Sequence, residues 1–236
     1  MSGDDAVQIW WRSTERLDEA AIAAAVAVLS EDEAAHYRRF HFARDARDYA
    51  AAHALLRHAL SRHDDRAPAA WRFEKTAAGK PLLQGGGAAA ASFSLSHTDG
   101  MVACALTGAA AVGVDVECVD RDVAVDDLAA RFFAPAEAAQ LRRLDPAARR
   151  DRFFDFWTLK EALVKALGAG LALSLASFAF TIDASGAITL EAAALETKSW
   201  HFGLFAPGPQ HRLAVAVPRA AALAPQLILR SVADEG

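Results

Sequence analysis

An α+β chain built as two similar halves is what this sequence predicts. Three patterns point to it. Short stretches of period-two alternation are interleaved with long stretches of helical periodicity. Hairpin signals recur, as in Phe93-Ser94-Leu95 followed by a turn and Val102-Ala103-Cys104-Ala105-Leu106. That hairpin has a counterpart in Phe202-Gly203-Leu204, a turn, and Leu213-Ala214-Val215-Ala216-Val217, and each follows a long helix in its own half. The two halves would join near residues 107–112, with a ligand cleft between them.

The elements follow in order. Residues 7–12 alternate as an opening strand, and 15–29 form an Ala-rich helix. Ser30-Glu31-Asp32-Glu33 has the capping-box pattern, Ser at the cap and Glu three residues on, and begins a helix that runs to about Arg39. An amphipathic helix spans 47–63 and a strand lies near 71–75. Gly85-Gly86-Gly87 marks a loop before the first hairpin, whose turn chemistry is Asp99-Gly100. Gly113 to Glu117 is a further strand. Pro135 starts a helix at 136–144, and Pro146 precedes a long helix stopped by Gly168-Ala169-Gly170, since glycine accepts the left-handed position after a helix end. Residues 178–182 and 188–190 form a hairpin around Asp183-Ala184-Ser185-Gly186.

Composition bounds the class. The chain has 236 residues, 53% hydrophobic and 23% charged, the profile of an ordinary globular protein with a real core. The start, Met1-Ser2-Gly3-Asp4-Asp5, is acidic and lacks the basic region of a signal peptide. No apolar run reaches the roughly 18 residues of a membrane span. Cys104 and Cys118 show no metal or redox spacing, so reduced packing thiols in a cytoplasmic protein are expected. A net charge of −5 with no basic excess argues against nucleic acid.

Three segments carry chemistry. In the long helix, Trp157, Glu161 and Lys165 share a stripe at i, i+4 spacing, about 6 Å apart along the axis, while Phe153, Phe156, Leu163 and Leu167 can face a core. Alone, such a Glu–Lys pair is a surface bridge worth about 0.2–0.5 kcal/mol. In Gly113-Val114-Asp115-Val116-Glu117, alternation puts both carboxylates on one strand face with Cα atoms about 6.6 Å apart. A solvated strand end would tolerate that, and so would a hard divalent cation with oxygen ligands; Glu161 is then a candidate third ligand. Ser96-His97 lies where a strand gives way to the Asp99-Gly100 turn. Adjacency in sequence does not make a nucleophile–base pair, so phosphate binding suits the two better.

Taken in order with Gly79-Lys80-Pro81 and Arg131-Phe132-Phe133, these segments resemble the 4'-phosphopantetheinyl transferase superfamily in its surfactin-type (Sfp-type) branch, over about residues 38–180. The resemblance implies the family's fold of two pseudo-symmetric α/β halves with the active site in the cleft between them. Residues 1–109 would then form a coenzyme A-gripping half, and residues 110–236 a half with the metal and catalytic residues. It implies transfer of 4'-phosphopantetheine from coenzyme A to a serine of an apo acyl or peptidyl carrier protein of fatty-acid, polyketide or nonribosomal-peptide synthesis, releasing adenosine 3',5'-bisphosphate. Mg²⁺ would sit on Asp115, Glu117 and Glu161. Glu161 would act as base and Lys165 would neutralise the leaving phosphate. Lys80, Ser96, His97 and Arg47 would hold coenzyme A, with His97 on its 3'-phosphate.

One departure is Asp48, where a basic residue is common in the family. The negative chain must also supply local positive ground for two anionic partners, with candidates Arg38, Arg39, Arg44, Arg47, Arg57, Lys80, Arg121, Lys160 and Lys165. A chain of two halves completes its own cleft, so a monomer is expected, with no membrane and no nucleic-acid partner. The alternative is a Mg²⁺-dependent phosphodiesterase using the same carboxylates on water.

Overall fold

A computed structural model of the chain describes residues 6–75, 81–84, 92–108, 111–193, 197–219 and 225–232. The first half opens with β1 (Ala6–Ser13), then α1 (Glu19–Ala27), α2 (Glu31–Tyr37) and the long α3 (Ala43–Ser61). Asp18 caps α1 by accepting the Ala21 amide, and the expected Ser30–Glu33 capping box starts α2. The small hairpin β2 (Phe73–Lys75) and β3 (Pro81–Leu83) precedes the main hairpin, β4 (Ser92–Thr98) and β5 (Met101–Thr107).

The second half repeats this plan. It runs through β6 (Gly113–Cys118), α4 (Val125–Phe132), α5 (Pro135–Leu141) and the long α6 (Pro146–Leu167). The hairpins β7 (Phe178–Ile182) with β8 (Ile188–Ala192) and β9 (Trp200–Gly208) with β10 (His211–Pro218) follow, and then β11 (Gln226–Ser231). Asp145 caps α6 by accepting the Ala147 and Ala148 amides, and Gly168 ends it in the left-handed conformation, φ 65°.

In each half the first strand pairs antiparallel with the second strand of the main hairpin, β1 with β5 and β6 with β10. The repeat read in the sequence is therefore structural. One sheet has the order β11-β1-β5-β4 and the other β6-β10-β9. The strand β11 comes from the far side of the second half yet pairs parallel with β1, Ala6 opposite Gln226.

Long helices cover these sheets. Leu55, Leu56 and Leu60 of α3 pack with Phe93, Val102 and Leu106, while Phe156, Leu159 and Leu163 of α6 pack with Ala214 and Ala216. A third apolar layer joins Val7 and Ile9 of β1 to Val114 and Val116 of β6 and Val215 of β10, so the halves share a core. Gly113 lets β6 lie directly on α6: a Cβ there would sit 1.9 Å from the Ala162 carbonyl oxygen. Among the described residues no helix is long and apolar enough to cross a membrane.

Several boundaries differ from the sequence reading. The first helix is shorter than 15–29, α3 starts four residues earlier than 47, and α5 stops at Leu141 rather than 144. Leu167, expected in the core with Phe153, Phe156 and Leu163, is 36% exposed at the last residue of the helix. The helix α4 and the strand β11 were not anticipated, although Val125, Leu128 and Phe132 have helical spacing and all pack against the second-half core.

Candidate active site

The strand β6 and the helix α6 bring the separated motifs together. Close packing at Gly113 sets β6 against the last turns of α6, where Lys165 points back at Asp115. Its ammonium lies 2.7 Å from Asp115 Oδ1 and also donates to Ser96 Oγ at 2.9 Å and to the Val114 carbonyl at 3.1 Å. Asp115 is buried, so it is not the solvated strand-end carboxylate that alternation allows. Ser96 Oγ donates to its Oδ1 at 2.9 Å, while Oδ2 is buried with no hydrogen-bond partner.

Glu117 follows two residues on, held by Arg121 at 2.5 Å. Burial raises its carboxyl above the ordinary value, and the neighbouring Asp115 raises it further. Glu161 lies one helical turn before Lys165. Its carboxyl is also pushed up, by burial first and then by Asp115. Asp115 thus contributes to the raised carboxyls of both Glu117 and Glu161.

Glu161 opens onto a cavity of about 840 Å³ lined by residues of both halves. Glu161 and Lys165 line it with Trp157, which makes the expected helix stripe a cavity wall. Opposite them are Phe93, Ser94 and Leu95 of β4, and Phe132 with Arg131 closes another side. Arg131, read in the sequence as part of the Arg131-Phe132-Phe133 motif but not among the candidate cations, supplies positive charge there, its guanidinium lying 5.0 Å from the Phe132 ring centroid.

The residues expected to hold coenzyme A are dispersed. Lys80 lies outside the described residues. His97 is exposed, on the opposite face of β4 from Ser96. The protein around its ring, and then the Lys165 ammonium, lower its pKa and favour the neutral form. Arg47 donates to Asp48 at 3.0 Å, and Asp48 also accepts from the Thr14 hydroxyl. The unusual Asp48 is therefore a buried tie between α3 and the end of β1. Arg44 lies between Asp45 and Asp99 at the surface.

Two candidates for positive ground are instead sealed inside. Arg57 is fully buried and bonds Glu33 and the Pro68 and Trp71 carbonyls, and Lys160 is fully buried on Glu137 at 2.8 Å. Such pairing offsets the cost of burying a long cation, although Arg57 Nε has no hydrogen-bond partner among the described residues, and linear sequence does not reveal it.

The family model of the 4'-phosphopantetheinyl transferase superfamily matches residues 111–217, and that of the 4'-phosphopantetheinyl transferase N-terminal region matches 11–108. The 4'-phosphopantetheinyl transferase HetI of Nostoc sp. is 34% identical over 165 residues, covering 69% of each chain. The chain belongs to the 4'-phosphopantetheinyl transferase superfamily. Two Bacillus members are also similar to this transferase. The 4'-phosphopantetheinyl transferase psf-1 of Bacillus pumilus is 32% identical, covering 69% of this chain and 67% of its own. Sfp of Bacillus subtilis is 29% identical, covering 69% and 70%.

The family implies a metal, and the donor chemistry fits one. Among the described residues no three carboxylate, imidazole or thiol groups converge as a ready-made cage. Mg²⁺ does not need one, since it takes one or two carboxylates and completes its shell with water and substrate phosphate. The unpartnered Asp115 Oδ2 and the raised carboxyls of Glu117 and Glu161 are oxygen donors whose mutual repulsion a divalent cation would relieve.

Proposed function

We propose that this transferase moves the 4'-phosphopantetheine arm of coenzyme A onto a serine of an apo acyl or peptidyl carrier protein. Family membership supports this. So does the cluster of Asp115, Glu161 and Lys165 at a cavity of about 840 Å³, which falls in the usual range for ligand pockets. In the reaction the serine Oγ forms a bond to the phosphorus that carries pantetheine. The phosphoanhydride P–O bond breaks, and adenosine 3',5'-bisphosphate leaves with that oxygen.

Each residue has a task within this reading. Glu161 faces the cavity with a raised carboxyl and accepts the serine proton, directly or through one water. Lys165, oriented by Asp115 and Ser96, meets the charge that develops on the departing phosphate. Asp115, Glu117 and Glu161 would hold Mg²⁺, which supplies charge neutralisation at the pyrophosphate when bound. His97 is suited to the 3'-phosphate, and Lys80 and Arg47 are assigned to the same co-substrate. The apolar wall of Phe93, Leu95, Phe132 and Trp157 suits the uncharged pantetheine arm. Cleft residues from both halves of one chain support a monomer, and two free cysteines support a cytoplasmic setting.

Intact-mass analysis tests the reading. An apo carrier protein incubated with the transferase, coenzyme A and Mg²⁺ is expected to gain one phosphopantetheine group, and EDTA is expected to prevent it. Release of free phosphopantetheine with no change in the carrier would overturn the reading.

A further inference from the structure

The seam between the halves is held by side chains in an unusual way. The edge strands β4 and β6 run side by side in the same direction, joined by side-chain hydroxyls bonded to backbone amides. Ser94 Oγ accepts the Val114 amide at 3.0 Å, Ser96 Oγ the Val116 amide at 3.2 Å, and Thr98 Oγ1 the Cys118 amide at 3.2 Å. These amides lie on the edge of β6 away from its partner β10, where buried donors need acceptors.

Two of these hydroxyls do more than satisfy an edge. Ser96 Oγ turns its own proton to Asp115 at 2.9 Å, and Thr98 Oγ1 turns its proton to Glu117 at 3.4 Å. The unit is the same both times: a hydroxyl of the first half accepts one amide of β6 and donates to the carboxylate one residue before that amide. Both strands advance by two residues between units, so the pleat itself generates the repetition. At Ser94 the corresponding position is Gly113, which carries no side chain. Ser96 further accepts from Lys165, which leaves its hydroxyl fully engaged by protein groups.

We infer that Ser96 and Thr98 are positioning residues for phosphopantetheinyl transfer. Each hydroxyl, anchored on a β6 amide, fixes the direction of one carboxylate, and Ser96 also fixes Lys165. The aim of the second half's acidic residues is thereby set by a strand of the first half. This rests on the transferase reading above.

The test compares Ser96→Ala, Thr98→Val and Thr98→Ser with the wild type. Steady-state kinetics with coenzyme A and an apo carrier protein give kcat and KM separately. Electron paramagnetic resonance of Mn²⁺, with coenzyme A and no carrier, reads metal uptake without turnover. Residues that orient ligands typically change affinity or activity by about 10–100-fold. Ser96→Ala is expected to lower kcat within that range and to leave the KM for coenzyme A within about twofold. Thr98→Val is expected to weaken Mn²⁺ uptake by a similar factor, and Thr98→Ser to restore it because the hydroxyl is kept. Loss of thermal stability with kcat and Mn²⁺ uptake unchanged would reduce the hydroxyls to edge acceptors and overturn the inference. A raised KM for coenzyme A at unchanged kcat would overturn it too, by making Ser96 a gripping residue. Should Ser96→Ala fail to fold, the Thr98 pair decides. A wild type that takes up Mn²⁺ but leaves the carrier unmodified would reject the transferase reading separately.

Discussion

The first half and the seam each hold a dense cluster of charge, and the two are built in opposite senses. In the first half Glu33 accepts from the Ser30 amide at 2.8 Å, from His53 at 2.8 Å and from Arg57 at 2.6 Å. Burial alone would raise its carboxyl, yet these partners, His53 foremost, hold it down at about 2. At the seam, Asp115 keeps one buried oxygen without a partner and the carboxyls of Glu117 and Glu161 are raised. In the first cluster protein groups bond both Glu33 oxygens and tie α2 to α3, although Arg57 Nε has no hydrogen-bond partner. The second leaves a carboxylate oxygen open where the proposed metal would bind. Lys160 and Glu161 show how sharply the two uses can adjoin. One helical step, about 100° of azimuth, separates a lysine sealed on Glu137 from a carboxylate on the cavity wall.

The contrast breaks first at Glu161. Glu161→Gln keeps the side-chain shape but removes the proton acceptor, so kcat is expected to fall by about 10²–10⁴-fold with little change in melting temperature. Wild-type turnover in that variant would place the seam cluster with the structural one. Lys165→Met is expected to follow the same pattern, with kcat down by about 10²–10³-fold.

Arg57→Met should do the reverse. Removing one partner of a buried ion pair typically destabilises by about 3–5 kcal/mol. The urea midpoint is expected to drop accordingly, while the folded fraction keeps its kcat. A variant of normal stability and low kcat would show that the first-half cluster also serves the chemistry.

Acid sharpens the comparison further. A carboxyl depressed in the folded protein stabilises it above the unfolded pKa, and that contribution disappears as pH falls through the folded value. For Glu33, whose carboxyl goes from 4.5 to about 2, that stabilising contribution is present at neutral pH and is lost between about pH 4.5 and 2. Glu33→Gln is expected to flatten the fall in stability across that window, as read by chemical denaturation at stepped pH. An unchanged slope would remove Glu33 as its source.

Gly113 tests whether the contact between β6 and α6 serves both stability and chemistry. An added methyl meets the backbone of α6, and such overpacking costs about 1–3 kcal/mol. Because the same contact seats Asp115 against Lys165, Gly113→Ala is expected to lower both melting temperature and kcat. Loss of stability alone would show that the site tolerates displacement of β6.

What was legible beforehand followed local periodicity. Alternation placed Asp115 and Glu117 on one strand face, the i, i+4 spacing placed Trp157, Glu161 and Lys165 on one wall, and the resemblance of two hairpins exposed the repeat. What was not legible depends on partners far along the chain. Lys165 meets Asp115 across 50 residues and Ser96 across 69, and no local pattern encodes either contact. Arg57 and Lys160 read as surface cations because the groups that satisfy them, Glu33 and Glu137, come from other helices. The hairpins also hid their difference. Ser94, which accepts an amide across the seam, corresponds to Gly203, where a Cβ would lie 2.4 Å from Leu227 of β11. A duplicated scaffold carries chemistry only where its two edges meet.

The pairing of β11 with β1 has a kinetic consequence. Ala6 and Gln226 are neighbours in the sheet, yet a ribosome adding about 5–20 residues per second separates their synthesis by roughly 10–40 s. Through that interval the outer edge of β1 has donors and acceptors facing water, an invitation to pair with any other extended chain. Closure of the first sheet awaits one of the most sequence-distant contacts in the molecule, a class of contact that slows folding.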